Sequence, residues 1–85
     1  MDNIKVSIII PTYNVSPYIS ETLNSFINQT LKNIQIIVVD DGSTDDTCEI
    51  ITSYARQDGR IQLIKQENQG AGVARNNGMS YAQGE

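Results

Sequence analysis

Eighty-five residues, 39% apolar and 19% charged, fit one domain with a small core and exclude a disordered tail. A formal net charge of −4 excludes the broad basic surface that grips nucleic acid or anionic membranes, though a single nucleotide needs only a few donors. A lone cysteine, Cys48, and the absence of histidine exclude an internal disulfide and a Cys/His zinc site.

Residues 4–10 are mostly β-branched and stop at Pro11, which predicts a first strand buried on both faces. Ser16 and Pro17 then fit the N-cap and first residue of a helix that carries Ile19, Leu23, Phe26 and Ile27 at helical spacing. Ile34, Ile36, Ile37, Val38 and Val39 form a second continuous apolar strand that ends at Asp40-Asp41-Gly42. Ser43-Thr44-Asp45-Asp46 has the spacing of a capping box, opening a second helix with a stripe through Thr47, Ile51, Tyr54 and Ala55. Asp58-Gly59 supplies its stop, with Gly59 able to take the left-handed conformation.

Residues 60–65 form a shorter third strand. From Gly70 onward Ala71, Ala74, Gly78, Tyr81 and Ala82 share one face of a third helix, whose small residues suit close packing on a sheet and which Gly84 ends. The order β-α-β-α-β-α predicts a Rossmann-like α/β fold with a parallel sheet and right-handed crossovers. Ligands in such sheets bind beyond the carboxyl ends of the strands, so residues 11–16, 40–43 and 66–70 are where chemistry is expected.

Pro11, Thr12, Tyr13 and Asn14 bring a rigid turn, a hydroxyl and an aromatic face to the sheet rim, a set that suits a base and ribose and equally a proline-broken strand before a capped helix. Asp40 and Asp41 repel each other and add nothing to a core, which suggests contact with a ligand N–H or diol, while Asp-Gly turn chemistry and helix capping explain them equally well. A receiver-type acidic pocket is excluded because Pro-Thr-Tyr-Asn occupies the end of the first strand, and a metal site would need further ligands. Gly70-Ala71-Gly72 is an incomplete dinucleotide fingerprint, and no Walker A loop or His-paired nucleophile is present. Arg75 could hold a phosphate or pair with Asp40 or Asp41.

Taken together, Val6-Ser7-Ile8-Ile9-Ile10-Pro11-Thr12-Tyr13-Asn14, Ile37-Val38-Val39-Asp40-Asp41-Gly42-Ser43-Thr44-Asp45 and Asn68-Gln69-Gly70 through Ala74-Arg75-Asn76-Asn77-Gly78 strongly resemble the family 2 inverting glycosyltransferases. Ser25 to Thr30 is similar to that family's S-x-x-x-Q-T segment, so the resemblance covers nearly the whole chain. It implies a GT-A fold of which residues 1–85 are the truncated nucleotide-sugar-binding half. Pro11, Thr12 and Tyr13 would then surround the base and ribose, Asp41 first and Asp40 second would contact the base, and Arg75 would support the phosphate side.

The same resemblance implies a nucleoside-diphosphate sugar donor, UDP-linked first, and transfer with inversion to a saccharide or lipid-linked glycan. It also implies a divalent metal, Mg or Mn, with an Asp-x-Asp loop and a catalytic carboxylate beyond residue 85, so no catalytic or metal-ligating residue is expected in this chain. No apolar stretch nears the roughly 20 residues of a membrane span and the start lacks a signal peptide, so the expected location is cytoplasmic, with a peripheral place at the inner membrane face for the full-length protein. A stand-alone, non-catalytic α/β nucleotide-binding or interaction module is the competing expectation. The family's strand order, in which a strand after Glu85 pairs with the first, implies that the first strand is an open edge in these 85 residues, which predicts their self-association.

Overall fold

The computed structural model describes residues 6–28 and 33–82. Within them β1 (Val6–Thr12), α1 (Ser16–Ile27), β2 (Ile34–Asp40), α2 (Thr47–Gln57), β3 (Ile61–Lys65) and α3 (Ala71–Met79) follow in chain order. The three strands are parallel in the order β1-β2-β3. This is the β-α-β-α-β-α sheet that the alternation of apolar runs predicts.

All seven residues of β2 are buried, as the continuous apolar run requires of a central strand. Its side chains divide by parity. Ile34, Ile36 and Val38 join Ile19 and Leu23 of α1, Ile51 of α2 and Ile61 of β3 in the main core, each worth about 1.5–3 kcal/mol on burial. Ile37 and Val39 face the other way, onto Ala74 of α3 with Ile9, Ile64 and Ala82 around them. Placing α1 and α2 on one face follows from right-handed crossovers that continue in one direction across the sheet. Helix α3 instead packs on the opposite face against β1 and β2.

Several boundaries differ from the sequence-based expectation. Strand β1 continues through Pro11 to Thr12, and its residues are half-buried up to Pro11 rather than enclosed. The proline is tolerated because β1 lies at the sheet edge among the described residues. The Thr12 carbonyl accepts the Asp41 N–H at 2.9 Å, so Thr12 faces β2 and Pro11, one residue earlier, faces away. The N-cap of α1 is Val15, not Ser16, since the Val15 carbonyl accepts from the N–H groups of Tyr18 and Ile19 at 2.8 and 2.9 Å.

The capping box does not form: α2 starts at Thr47, with Asp46 at its N-cap and no side-chain cap. The Ser43 hydroxyl goes to Asp40 instead, a strong charge-assisted acceptor close by. At the other end of α2, Asp58 is extended, and the glycines with positive φ are Gly42 and Gly70 rather than Gly59. Asp58 turns back to Arg60, accepting from its backbone N–H and its guanidinium, which keeps Arg60 out of β3. Helix α3 stops at Met79 with Tyr81 half-exposed, so the shared face shrinks to Ala74 and Gly78 with Ala82 beyond it. The Gln29-Thr30 part of the S-x-x-x-Q-T segment and Gly84 lie outside the described residues.

Candidate functional site

The parity of β2 separates the two adjacent aspartates. Asp40, an even residue, points to the α1/α2 side, and Asp41 emerges on the α3 side, so the repulsion expected between them is largely avoided. Asp40 is 1% exposed and stands opposite Thr12 in the strand register. Its Oδ1 accepts the hydroxyls of Thr12 at 2.8 Å and Ser43 at 2.6 Å, and its Oδ2 accepts the Ser43 N–H at 2.8 Å. Burial alone would raise its pKa, but the Ser43 hydroxyl and N–H and the Thr12 hydroxyl outweigh it and hold the carboxyl below its ordinary range.

Asp41 serves the third loop. Its Oδ1 accepts from Gln66 Nε2 and from the Gln69 N–H, both at 2.7 Å, and its Oδ2 accepts the Gly70 N–H at 3.0 Å. These neutral donors, Gln66 first, hold its carboxyl below the usual aspartate range. Gly70, with φ 99° and ψ 158°, occupies a region open essentially to glycine alone, which lets its N–H reach the carboxylate as α3 begins. Gly42 has φ 85°, and a Cβ there would stand 3.2 Å from the Asn68 backbone N, so this turn runs close beside the third loop.

The first two loops are also tied together. Asn14, at φ 51°, donates its N–H to Ser43 Oγ and accepts the Thr44 N–H at Oδ1, both at 2.8 Å. The Val15 N–H donates to Thr47 Oγ1 at 3.0 Å and the Ser16 N–H to Asp45 Oδ2 at 3.2 Å. Asp45, holding the Thr47 hydroxyl and N–H as well, has its pKa lowered to about 2.

These ties leave an open cleft of about 150 Å³ beyond the carboxyl ends of β1 and β2, lined by Pro11, Thr12, Tyr13 and Asp41. The Thr12 hydroxyl proton is committed to Asp40, so Thr12 faces a ligand as an acceptor. The Tyr13 ring is 46% exposed and presents an aromatic face. The structure therefore brings four of the six sequence-selected residues to one cleft, sets Asp40 buried behind Thr12, and leaves Arg75 exposed on α3 outside the cleft lining. The recorded ion pair among the described residues joins Arg60 and Asp58 at 2.7 Å, and the bonds to Asp40 and Asp41 come from neutral donors.

No group of three or more His, Cys, Asp or Glu side chains among the described residues could hold a metal ion. With hydroxyl and N–H donors on both oxygens of Asp40 and of Asp41, these residues do not fit a divalent cation by themselves. Sequence reading missed the roles of Asn14, Ser43, Gln66 and Asn77. The density of Asn, Ser, Thr and Asp in both loops was the available signal, but such side chains usually bond locally, and here their partners lie across the sheet rim.

The model of the family described as Glycosyl transferase family 2 matches residues 7–85. Over 79 residues the chain is 49% identical to the uncharacterized glycosyltransferase EpsJ of Bacillus subtilis, covering 93% of this chain and 23% of that one. It is 48% identical to the glycosyltransferase GlyA of Streptococcus pneumoniae, covering 94% of this chain and 12% of that one. Among solved structures, S. aureus TarS 1-349 in complex with UDP matches at TM-score 0.87 and 38% identity, over 95% of this chain and 25% of that one. The mannosyltransferase PcManGT of Pyrobaculum calidifontis, in complex with GDP-Man and Mn2+, matches at TM-score 0.86 and 29% identity, over 96% and 25%. The chain spans about a quarter or less of the length of these relatives.

Proposed function

The chain belongs to glycosyltransferase family 2, and from that premise we propose that it is the nucleotide-binding half of a GT-A enzyme that transfers a sugar from a nucleoside diphosphate to an acceptor hydroxyl with inversion. The observation that carries this reading is the cleft of Pro11, Thr12, Tyr13 and Asp41 beyond the carboxyl ends of the parallel strands. Tyr13 supplies a stacking face, while Thr12 and the acceptor capacity left on Asp41 supply polar contacts to the base and ribose. Asp40 acts from behind by holding Thr12 and the Ser43 turn. Arg75, exposed on α3, serves the phosphate side as a cation.

UDP is the first choice of nucleotide, since the TarS match is a UDP complex, and GDP is the alternative given by the mannosyltransferase match. The acceptor would be a saccharide or a lipid-linked glycan, and the site of action the cytoplasm, peripheral to the inner membrane face. No helix among the described residues is long and apolar enough to cross a membrane. A divalent ion bound elsewhere in the protein would stabilise the departing diphosphate; what these residues do is bind and orient the nucleoside. The outer edge of β1, beside which no strand lies among the described residues and which carries half-buried Ile8, Ile9 and Ile10, is the surface through which 85-residue chains would associate.

Calorimetric titration with UDP and with GDP tests the reading. Saturable UDP binding that Tyr13→Ala and Asp41→Ala both weaken is the expected result. Binding unaffected by either change would move the nucleotide out of this cleft.

A further inference from the structure

The sequence assigns no role of their own to Gln66 and Asn77, yet they connect helix α3 to the cleft. Gln66 Nε2 donates to Asp41 Oδ1 at 2.7 Å, and Gln66 Oε1 accepts from Asn77 Nδ2. Both amide orientations follow from the partners. Turning Gln66 over would set its carbonyl oxygen against an anionic carboxylate and its NH2 against the Asn77 donor, losing both bonds. With the Gln69 and Gly70 N–H groups also on Asp41, about three of the four acceptor directions of the carboxylate are filled, and the remaining one is on Oδ2.

Helix α3 is well placed to hold such a device, because Asn77 stands between Ala74 and Gly78, the buried small residues that bring the helix against the sheet. We propose that Asn77 and Gln66 are positioning residues: Asn77 fixes the Gln66 amide so that it orients the Asp41 carboxylate, and this sets the affinity of the cleft for a nucleotide. The proposal rests on the nucleotide reading above and adds residues outside the cleft lining to it. The donors on Asp41 are neutral, and of the nearby ionisable groups Asp40 turns to the opposite face while Glu67, Lys65 and Arg75 are exposed.

The test is Asn77→Asp, which puts an acceptor where a donor stood. Gln66 then lies between two carboxylates, and its NH2 can face only one of them while its carbonyl opposes the other, so the donor on Asp41 is contested. Two measurements are made on the folded protein, with thermal melting to confirm that it is folded: titration of the Asp41 carboxyl by 13C NMR, and UDP affinity across pH. The expected result is an upward move of the Asp41 titration and a loss of UDP affinity of about tenfold at neutral pH. The acid limb of the binding profile should move upward with the titration.

Adding Gln66→Lys to Asn77→Asp restores a donor to both carboxylates and should return affinity toward wild type, which a purely structural defect would not do. If Asn77→Asp fails to fold, Gln66→Glu takes its place, removing the same donor from Asp41 without changing α3. An Asp41 titration and UDP affinity both unchanged in the folded variant overturn the proposal. A raised titration with unchanged UDP affinity overturns its binding half and leaves the nucleotide reading standing. Failure of the wild-type protein to bind UDP or GDP ends the nucleotide reading and the proposal together.

Discussion

The two faces of the sheet are built to different thickness. On one, α1 and α2 bury Ile19, Leu23 and Ile51 against Ile34, Ile36, Val38 and Ile61. On the other, α3 lies on Ala74 and Gly78, and a Cβ at Gly78 would stand 2.5 Å from Ile9 Cγ2 and 3.1 Å from Val39 Cγ2. The bulky face stabilises the fold, and the thin face brings a helix and its loop close enough to hold a carboxylate at the cleft. Each face keeps one aspartate: Asp40 is locked inside the thick side, and Asp41 stands at the rim of the thin one.

The largest effect is expected on the thick face. Leu23, fully buried, loses about 2–5 kcal/mol of stability on Leu23→Ala, read from the urea midpoint with an unchanged slope. A loss below about 1 kcal/mol would mean that this face is not the main core. Next comes Gly78→Ala, which must push α3 off Ile9 and Val39 and should cost about 1–3 kcal/mol. Adding Ile9→Ala should relieve the contact, so that the double variant loses less than the two single losses combined. Additive losses would break the claim that close approach sets this face.

The third expectation concerns the cleft, where Asp41→Ala should weaken UDP binding by about tenfold and Arg75→Ala by less, measured by calorimetry. The reverse order would transfer the main nucleotide contact from the rim carboxylate to the helix. The smallest effect is in the acid range. Asp40, Asp41 and Asp45 all have folded pKa values below the ordinary 3.8, and that of Asp45 falls to about 2. Unfolded chains therefore take up these protons first as pH falls. The stability the three carboxylates contribute is full above about pH 5, declines as pH drops past 3.8, and is lost as pH falls through their folded values, about 2 for Asp45. Asp45→Asn should flatten the low-pH end of a plot of urea midpoint against pH, and an unchanged curve would remove Asp45 from the loop network.

The sequence by itself determined the element order, the parallel sheet and the loops that matter. Continuous apolar runs at 34–39 and helical stripes such as Ile19 and Leu23 admit few other arrangements. It also determined the family, through three motif blocks in fixed order, and the selection of Pro11, Thr12, Tyr13 and Asp41, which line one cleft. Tertiary structure decided the use of each polar side chain. Ser43 fits a helix cap by local spacing, yet the Asp40 carboxylate three residues earlier, buried by the fold at the end of β2, offers a stronger acceptor. Pro11 looks like a strand stop until the pairing of β1 turns it away from β2, where the ladder needs no N–H from it. The adjacent acids look mutually repulsive until the two-residue period of β2 sends them to opposite faces, each among neutral donors that include groups distant in the chain, Thr12 on Asp40 and the Gln69 N–H on Asp41. Local propensity is written residue by residue, whereas a hydrogen bond across the sheet rim depends on strand order and on which face each helix covers.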